Sequence, residues 1–182
     1  LKIGAALVLT SPFIPLLFQG EEWGASTPFF YFTDYQEPEL ANAVREGRCK
    51  EFAAFGWKPE DTADPQALKT FEKSKLNWPE ISHAPHAEIL DWHKKLIQLR
   101  RDEADLSDGR LDCVKIRYDE FACWLVMERG DISVVSNFAS HSQSIPLRVE
   151  KHKTLLASEP GINAASGSVF LPPESVAIFK LE

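Results

Sequence analysis

Two adjacent carboxylates stand out in "PLLFQGEEWGAS", residues 15–26, where an apolar run meets Glu21 and Glu22. Carboxyl pairs hydrolyse glycosidic bonds when they flank one bond, about 5–5.5 Å apart for the retaining reaction. If the apolar run is a strand that persists through the pair, neighbouring side chains point to opposite faces. One glutamate would then face a cleft and the other the surrounding shell, so the pair is not expected to be catalytic. Just beyond it come Trp23 and "PFFYFTDY", residues 28–35. Flat aromatic rings beside a carboxylate such as Asp34 are what a saccharide cleft needs, because sugar rings expose C–H faces and hydroxyl donors. Phe29, Phe30 and Phe32 could equally pin a long loop onto the core, and for any one of them alone loop-pinning is the better reading.

Other chemistries find less support. The five histidines are scattered without metal-ligand spacing, although His86 and His93 lie seven apart on one helical pattern. Ser11, Ser26 and Ser82 sit in no nucleophile-elbow context. A formal net charge of -7 argues against a nucleic-acid partner. The basic cluster Lys94, Lys95, Arg100 and Arg101 reads as the solvated face of a helix. Three cysteines, Cys49, Cys113 and Cys123, without ligand spacing read as small buried thiols in a reducing, cytoplasmic setting. No apolar stretch has the length to span a membrane.

The elements that must position these residues follow from periodicity. Residues 1–10 predict a short apolar helix, buried on most sides, that ends where Ser11 precedes Pro12. Its positive charge and apolar run look superficially like a secretory signal. No cleavage site follows, however, and the sequence does not begin with Met, so the expectation is a piece of a longer protein. "FIPLLFQ", residues 13–19, is apolar throughout, as in a strand covered on both faces of a parallel sheet. "EPELANAVREGRCKEFAAFGW" predicts a helix to about Phe55 with a stop at Gly56. The Pro- and charge-rich stretch from Trp57 onward reads as an ordered loop anchored by Phe71, Leu76 and Trp78.

"PHAEILDWHKKLIQLRRDE", residues 85–103, places Ile89, Trp92, Leu96 and Leu99 on one stripe, the mark of an amphipathic helix. Beyond "LSDG" the texture changes to short β-rich segments separated by turn chemistry, including Asp119-Glu120 and Gly130-Asp131, which indicates an antiparallel sandwich. The boundary falls near residues 105–109. The expected fold class is α/β plus all-β, with residues 1–104 in the first part and 105–182 in the second.

At this point the residues become recognisable. "SPFIPLLFQGEEWGASTPFFYFTDY", "REGRCKEFAAFGW", "DPQALKTFEKSKLNW", "HAEILDWHKKLIQLRR" and the closing "LLASEPG" and "LPPESVAIFKL" closely resemble the malto-oligosyltrehalose trehalohydrolases of the α-amylase superfamily. "F-x-G-E-E-W-G" occurs more broadly in that superfamily, and the insert followed by "TFEKSKL" narrows it. The resemblance implies a retaining hydrolase on a (β/α)8 TIM barrel with a C-terminal antiparallel β-sandwich. It implies cleavage of the α-1,4 bond next to the trehalose end of maltooligosyl trehalose, releasing trehalose, with no cofactor.

On that plan residues 1–10 resemble the helix after the seventh barrel strand, 13–19 strand eight, 85–101 the closing helix, and the residues from about Leu106 the sandwich. The family's nucleophile, general acid and stabilising aspartate lie at the ends of strands four, five and seven, and its Asn-His-Asp triplet occurs nowhere in this sequence. No catalytic residue is therefore assigned, and the chain alone is expected to be inactive. Barrel active sites form at the C-terminal ends of the strands. The expected substrate contacts are thus Glu21, Trp23, Phe29, Phe30 and Asp34, with maltooligosyl trehalose as the partner and no nucleic acid or membrane. Two alternatives stay open: a related enzyme such as a glycogen branching enzyme, and a carbohydrate-binding or interaction module. Against the latter stands the apolar run at 13–19, which needs neighbours to cover it. Left alone, it is expected to rearrange or to self-associate with another copy.

Overall fold

The structure is a computed structural model that describes residues 1–56, 58, 62–148, 152–165 and 167–181. Trp57, residues 59–61 and 149–151, Ser166 and Glu182 lie outside the described residues, and with them part of the expected anchored loop and the end of the expected "SQSIPLRV" strand. Two compact units result: Leu1–Gly24 with Ile81–Glu182, and Ala25–Glu80.

The first unit is built on eight antiparallel strands among the described residues. They are β1 (Val114–Asp119), β2 (Trp124–Arg129), β3 (Ile132–Asn137), β4 (Gln143–Pro146), β5 (His152–Ala157), β6 (Ala164–Ala165), β7 (Ser168–Leu171) and β8 (Ser175–Leu181). One sheet runs β1-β2-β3-β8-β5 and the other β4-β7-β6. The expected sandwich is therefore present. Alternation divides its interior cleanly. Val126, Val135, Ala177 and Phe179 point between the sheets, toward Ile145, Val169 and Leu171. Their neighbours Met127, Val134 and Ile178 point the other way, into a second core with the helices.

Those helices are α1 (Lys2–Thr10) and α4 (His86–Asp102). The α4 stripe buries Ile89, Trp92 and Leu96, as its spacing predicts, and the Trp92 indole N–H donates to the Lys2 carbonyl at 3.0 Å. α1 buries Ala5, Ala6, Leu9 and Thr10, half-buries Ile3 and Leu7 and exposes only Gly4 and Val8, so it is covered on most sides, as expected. The short α5 (Ala104–Ser107) follows α4 and adds Leu106 to the core. At the β2–β3 turn Gly130 has φ 54, and the Asp105 carboxylate lies where a Cβ would be, so glycine fits here alone. Asp105 also accepts the Asp131 N–H at 2.8 Å.

The second unit holds α2 (Pro38–Ala53) and α3 (Leu68–Lys73). α2 begins at a proline suited to a first turn and stops before Gly56, whose φ of 82 no helix residue adopts. Glu80, only 9 % exposed, ties the two ends of this unit together. It accepts from the Ser26 N–H at 3.0 Å, the Ser26 hydroxyl at 2.6 Å and the Asn77 amide at 3.2 Å.

Four expectations are corrected. Residues 13–19 form no strand, and Phe13, Ile14, Leu16 and Phe18 are exposed, Ile14 at 95 %. A parallel-type strand exists only through the ladders and covering layers on each side of it, and no described residues supply them. The cysteines are free but not buried: Cys49 and Cys113 are half-buried and Cys123 is exposed. Cys113 precedes β1 and Cys123 precedes its antiparallel partner β2, so they stand at opposite ends of the hairpin, beyond disulfide reach. Arg100 is not a solvated cation. It donates to the carbonyls of Leu9, Ser11 and Phe13 at 2.7, 2.7 and 3.0 Å. The fourth correction concerns Glu21 and Glu22.

Candidate functional site

Glu21, Glu22 and Trp23 form a single 3-10 turn rather than the end of a strand. Gly20, with φ 88, reverses the chain into it, and Gly24, with φ 63, leads out of it; both are left-handed conformations that favour glycine. Opposite-face geometry therefore does not apply. Glu21 is exposed and turns back so that its Oε2 accepts the Phe18 N–H at 3.0 Å. Glu22 is half-buried. Trp23 is 2 % exposed, and its carbonyl lies 3.0 Å from His86 Nδ1. Its indole is inside the first unit, where no sugar ring can stack on it.

His86 and His93 do not act together. His93 is buried, with Nδ1 at 2.9 Å from the carbonyl of Ile89, one turn earlier in α4. Among the described residues no group of three or more His, Cys, Asp or Glu side chains is placed to hold a metal ion.

In the second unit the aromatic stretch lines two cavities. The larger, about 490 Å³, is formed by Phe32, Thr33, Asp34, Gln66, Leu68 and Phe71. Phe32 and Phe71 meet edge to face with ring centres 5.1 Å apart, and Phe29 stands 5.8 Å from Phe32. Hydrogen bonds rather than a core fix this wall. Thr33 N–H donates to Pro65 O at 2.8 Å. The Gln66 side chain accepts the Tyr35 N–H at 3.1 Å and donates to the Tyr35 carbonyl at 3.0 Å. Asp64 turns the chain at this point and pairs with Arg45 at 3.0 Å, whose hydrogen bond holds the Asp64 carboxyl below its usual range.

Asp34 is exposed, and one of its carboxylate oxygens accepts from Gln36 at 3.2 Å. Two aromatic faces with an acceptor carboxylate at the rim can stack a pyranose and take its hydroxyl protons. Among the described residues lining this cavity there is no second carboxyl placed to cleave a bond.

Phe29 and Phe30 line a smaller cavity of about 210 Å³ with Tyr31, Arg48 and Phe52. The Arg48 guanidinium stacks at 4.9 Å on Tyr31 and at 4.6 Å on Phe52, so this cavity already holds a cation between rings. A hydrogen bond with Tyr35 raises the pKa of the Tyr31 phenol. The structure thus groups Asp34 with Phe32 and Phe71, while Phe30 and Phe29, the latter in contact with Phe32, line the smaller cavity. Sequence reasoning gave Phe71 only an anchoring part and passed over Gln66 and Leu68. A wall assembled by a segment more than thirty residues downstream leaves no local spacing to read.

Comparison with known proteins shows what the chain as a whole is similar to. A family described as "Domain of unknown function (DUF3459)" matches residues 109–178, from the link before β1 into β8. The malto-oligosyltrehalose trehalohydrolase of Brevibacterium helvolum is 42 % identical over 180 residues, covering 99 % of this chain and 30 % of its own length. That of Mycobacterium tuberculosis (strain CDC 1551 / Oshkosh) is 45 % identical over 150 residues, 82 % of this chain and 26 % of its own. Over most of its length the chain is thus similar to one part of the malto-oligosyltrehalose trehalohydrolases. It spans about a third or less of the length of those relatives. A solved structure, a putative α-amylase from Salmonella typhimurium, superposes with a TM-score of 0.77 at 34 % identity, over 99 % of this chain and 30 % of that one. The fold therefore lies among α-amylase-type enzymes. No helix among the described residues is long and apolar enough to cross a membrane.

Proposed function

We propose that this chain is the glucan-holding rim and supporting sandwich of a retaining α-glucan hydrolase. In the whole enzyme the α-1,4 bond next to the trehalose end of maltooligosyl trehalose is cleaved and trehalose is released. The observation that carries this reading is the 42 % identity, over nearly the whole chain, to an enzyme of that name. In it, residues 1–104 are the last portion of a (β/α)8 barrel and residues 105–182 a C-terminal sandwich domain that packs on α1 and α4. The apolar segment 13–19 becomes a strand once barrel neighbours flank it, and its nearly continuous apolarity supports that role.

The reacting carboxylates belong to barrel strands outside residues 1–182, so this chain binds and orients but does not cleave. Asp34 with Phe32 and Phe71 holds a glucose unit, Phe29 and Phe30 shape the neighbouring wall, and Glu21 offers an exposed carboxylate to substrate from its own turn. Trp23 contributes from inside by fixing the turn that presents Glu21. Three free cysteines fit a cytoplasmic protein. Without barrel neighbours, segment 13–18 drives self-association with a second copy.

The test is trehalose release from maltooligosyl trehalose. The chain alone is expected to release none, and release should appear when it is co-expressed with the remaining part of a trehalohydrolase relative. Turnover by the chain alone would overturn the placement of the chemistry. Folded chain that restores nothing to its complement would overturn the assignment.

A further inference from the structure

α1 ends in an unusual way for a helix that leads into solvent. Its last carbonyls lack intrahelical partners, and the negative end of the helix dipole gathers there. The structure meets them with two guanidinium groups rather than with water. Arg129, the last residue of β2, is 2 % exposed and carries no ion pair among the described residues. Its Nη1 donates to Thr10 O at 2.6 Å and to Leu106 O at 3.1 Å, and its Nη2 donates to Asp108 O. Arg100 of α4 donates to Leu9, Ser11 and Phe13. Four successive or near-successive carbonyls at the end of α1 are therefore held by cations from a strand and from a helix. A buried arginine is expensive unless its donors are met, and here its three hydrogen bonds all go to backbone carbonyls, with the Asp108 and Asp105 carboxylates acting on it only through their charge. Burial, and then the charge of Arg100, pull the Arg129 pKa below its usual value, the expected consequence of this crowding.

We infer that Arg129 and Arg100 are positioning residues: through them the sandwich and α4 set the course of the chain leaving α1, and so the placement of the Gly20–Gly24 turn that carries Glu21. The planar fork of arginine suits this task, since it grips two carbonyls at fixed angles where an ammonium would act as a point charge. The sandwich then does more than cover apolar surface. It reaches through its second strand to aim a segment more than a hundred residues earlier in sequence. The bearing of this on saccharide binding rests on the function proposed above, but its test involves no saccharide.

The test compares backbone hydrogen exchange and the Trp23 indole NMR resonance in the wild-type chain, Arg129→Met, Arg129→Lys and Arg100→Met. In Arg129→Met, exchange should rise about tenfold or more at residues 9–13 and 18–24, the scale of one lost charge-assisted hydrogen bond. Amides of β3 and β8 should stay within about twofold of wild type, as for a locally opened region. The Trp23 resonance should shift, and Arg129→Lys should fall between the two. If exchange instead rises equally in β3, β8 and the turn, Arg129 is only a stabilising core residue and the inference fails. It also fails if residues 18–24 do not respond. Should Arg129→Met not fold, Arg100→Met decides the matter: faster exchange at residues 9–13 and 18–24 supports the clasp, and unchanged exchange there overturns it.

Discussion

Strand β3, "ISVVSN", and residues 13–18, "FIPLLF", are segments of equal length, the first half polar and the second apolar throughout. All six β3 residues are buried, with β2 on one side and β8 on the other, whereas Ile14 and Leu16 are 95 % and 84 % exposed. Apolarity does not account for the difference, since the less apolar segment is the buried one; the neighbours do, and Pro15 further withholds a ladder donor from residues 13–18. β3 alternates Val134 toward the helices and Val135 toward the second sheet, so both faces are used within one chain. Residues 13–18 have apolar faces of the same kind and no layer to receive them among the described residues. The contrast shows that apolarity on two faces specifies a demand for cover, and that the strand appears only where the cover is supplied.

The largest effect that should separate the two regions comes from one substitution made in each. Ile132→Ala at the start of β3 removes a fully buried side chain and should cost about 2–5 kcal/mol, read from urea unfolding. A cost below that of a surface change would mean that the sandwich core is looser than described. A smaller effect tests whether polar closure does for the second unit what apolar packing does for the first. Glu80→Gln replaces an acceptor of three hydrogen bonds by a group that is half donor, and should cost about 1–3 kcal/mol in that unit. Exchange at Ser26 and Asn77 should rise while β3 stays protected; a uniform rise would show that the closure is not local.

The edge of the sandwich offers a pH probe. Burial lowers the pKa of His152 at the start of β5 from its ordinary 6.5. Between the folded and unfolded values the unfolded chain binds more protons. The contribution of neutral His152 is therefore complete above about pH 6.5 and is lost as pH falls below it. His152→Leu should flatten the stability profile between pH 7 and the folded pKa, and an unchanged slope would assign the titration elsewhere. The smallest effect is the mirror of the first. Ile14→Ala should change folding stability by no more than about 0.5 kcal/mol, the range of surface substitutions. It should nonetheless weaken self-association measured by sedimentation, and a loss as large as that of Ile132→Ala would mean residues 13–18 are packed.

Where a segment carries its own neighbours, its structure was legible in the sequence. The α4 stripe of Ile89, Trp92 and Leu96, the Gly56 stop of α2 and the turns at Gly130 and beyond Asp119 are local patterns, and the structure follows them. Residues 13–19 were misread because continuous apolarity records what a segment would bury, not whether a partner is present. The Glu21–Trp23 turn was misread for a related reason. Gly20 on its left-handed φ redirects the chain, and a strand extrapolated through a glycine misses that reversal. The aromatic wall was half legible: Phe32 and Asp34 are close in sequence, but Phe71 and Gln66 reach them only through folding of the second unit. Arg129 left no signal at all, since a basic residue ending a strand looks like a solvated one until the carbonyls around it are known.

The most direct measurement is a titration of isotope-labelled chain with maltooligosyl trehalose, followed by NMR and by analysis of the sugar for trehalose. The account predicts saturable shifts at Phe32, Asp34 and Phe71, weakened by Phe71→Ala, with no trehalose formed. Shifts confined to the sandwich, or none at these three residues in folded chain, would contradict it.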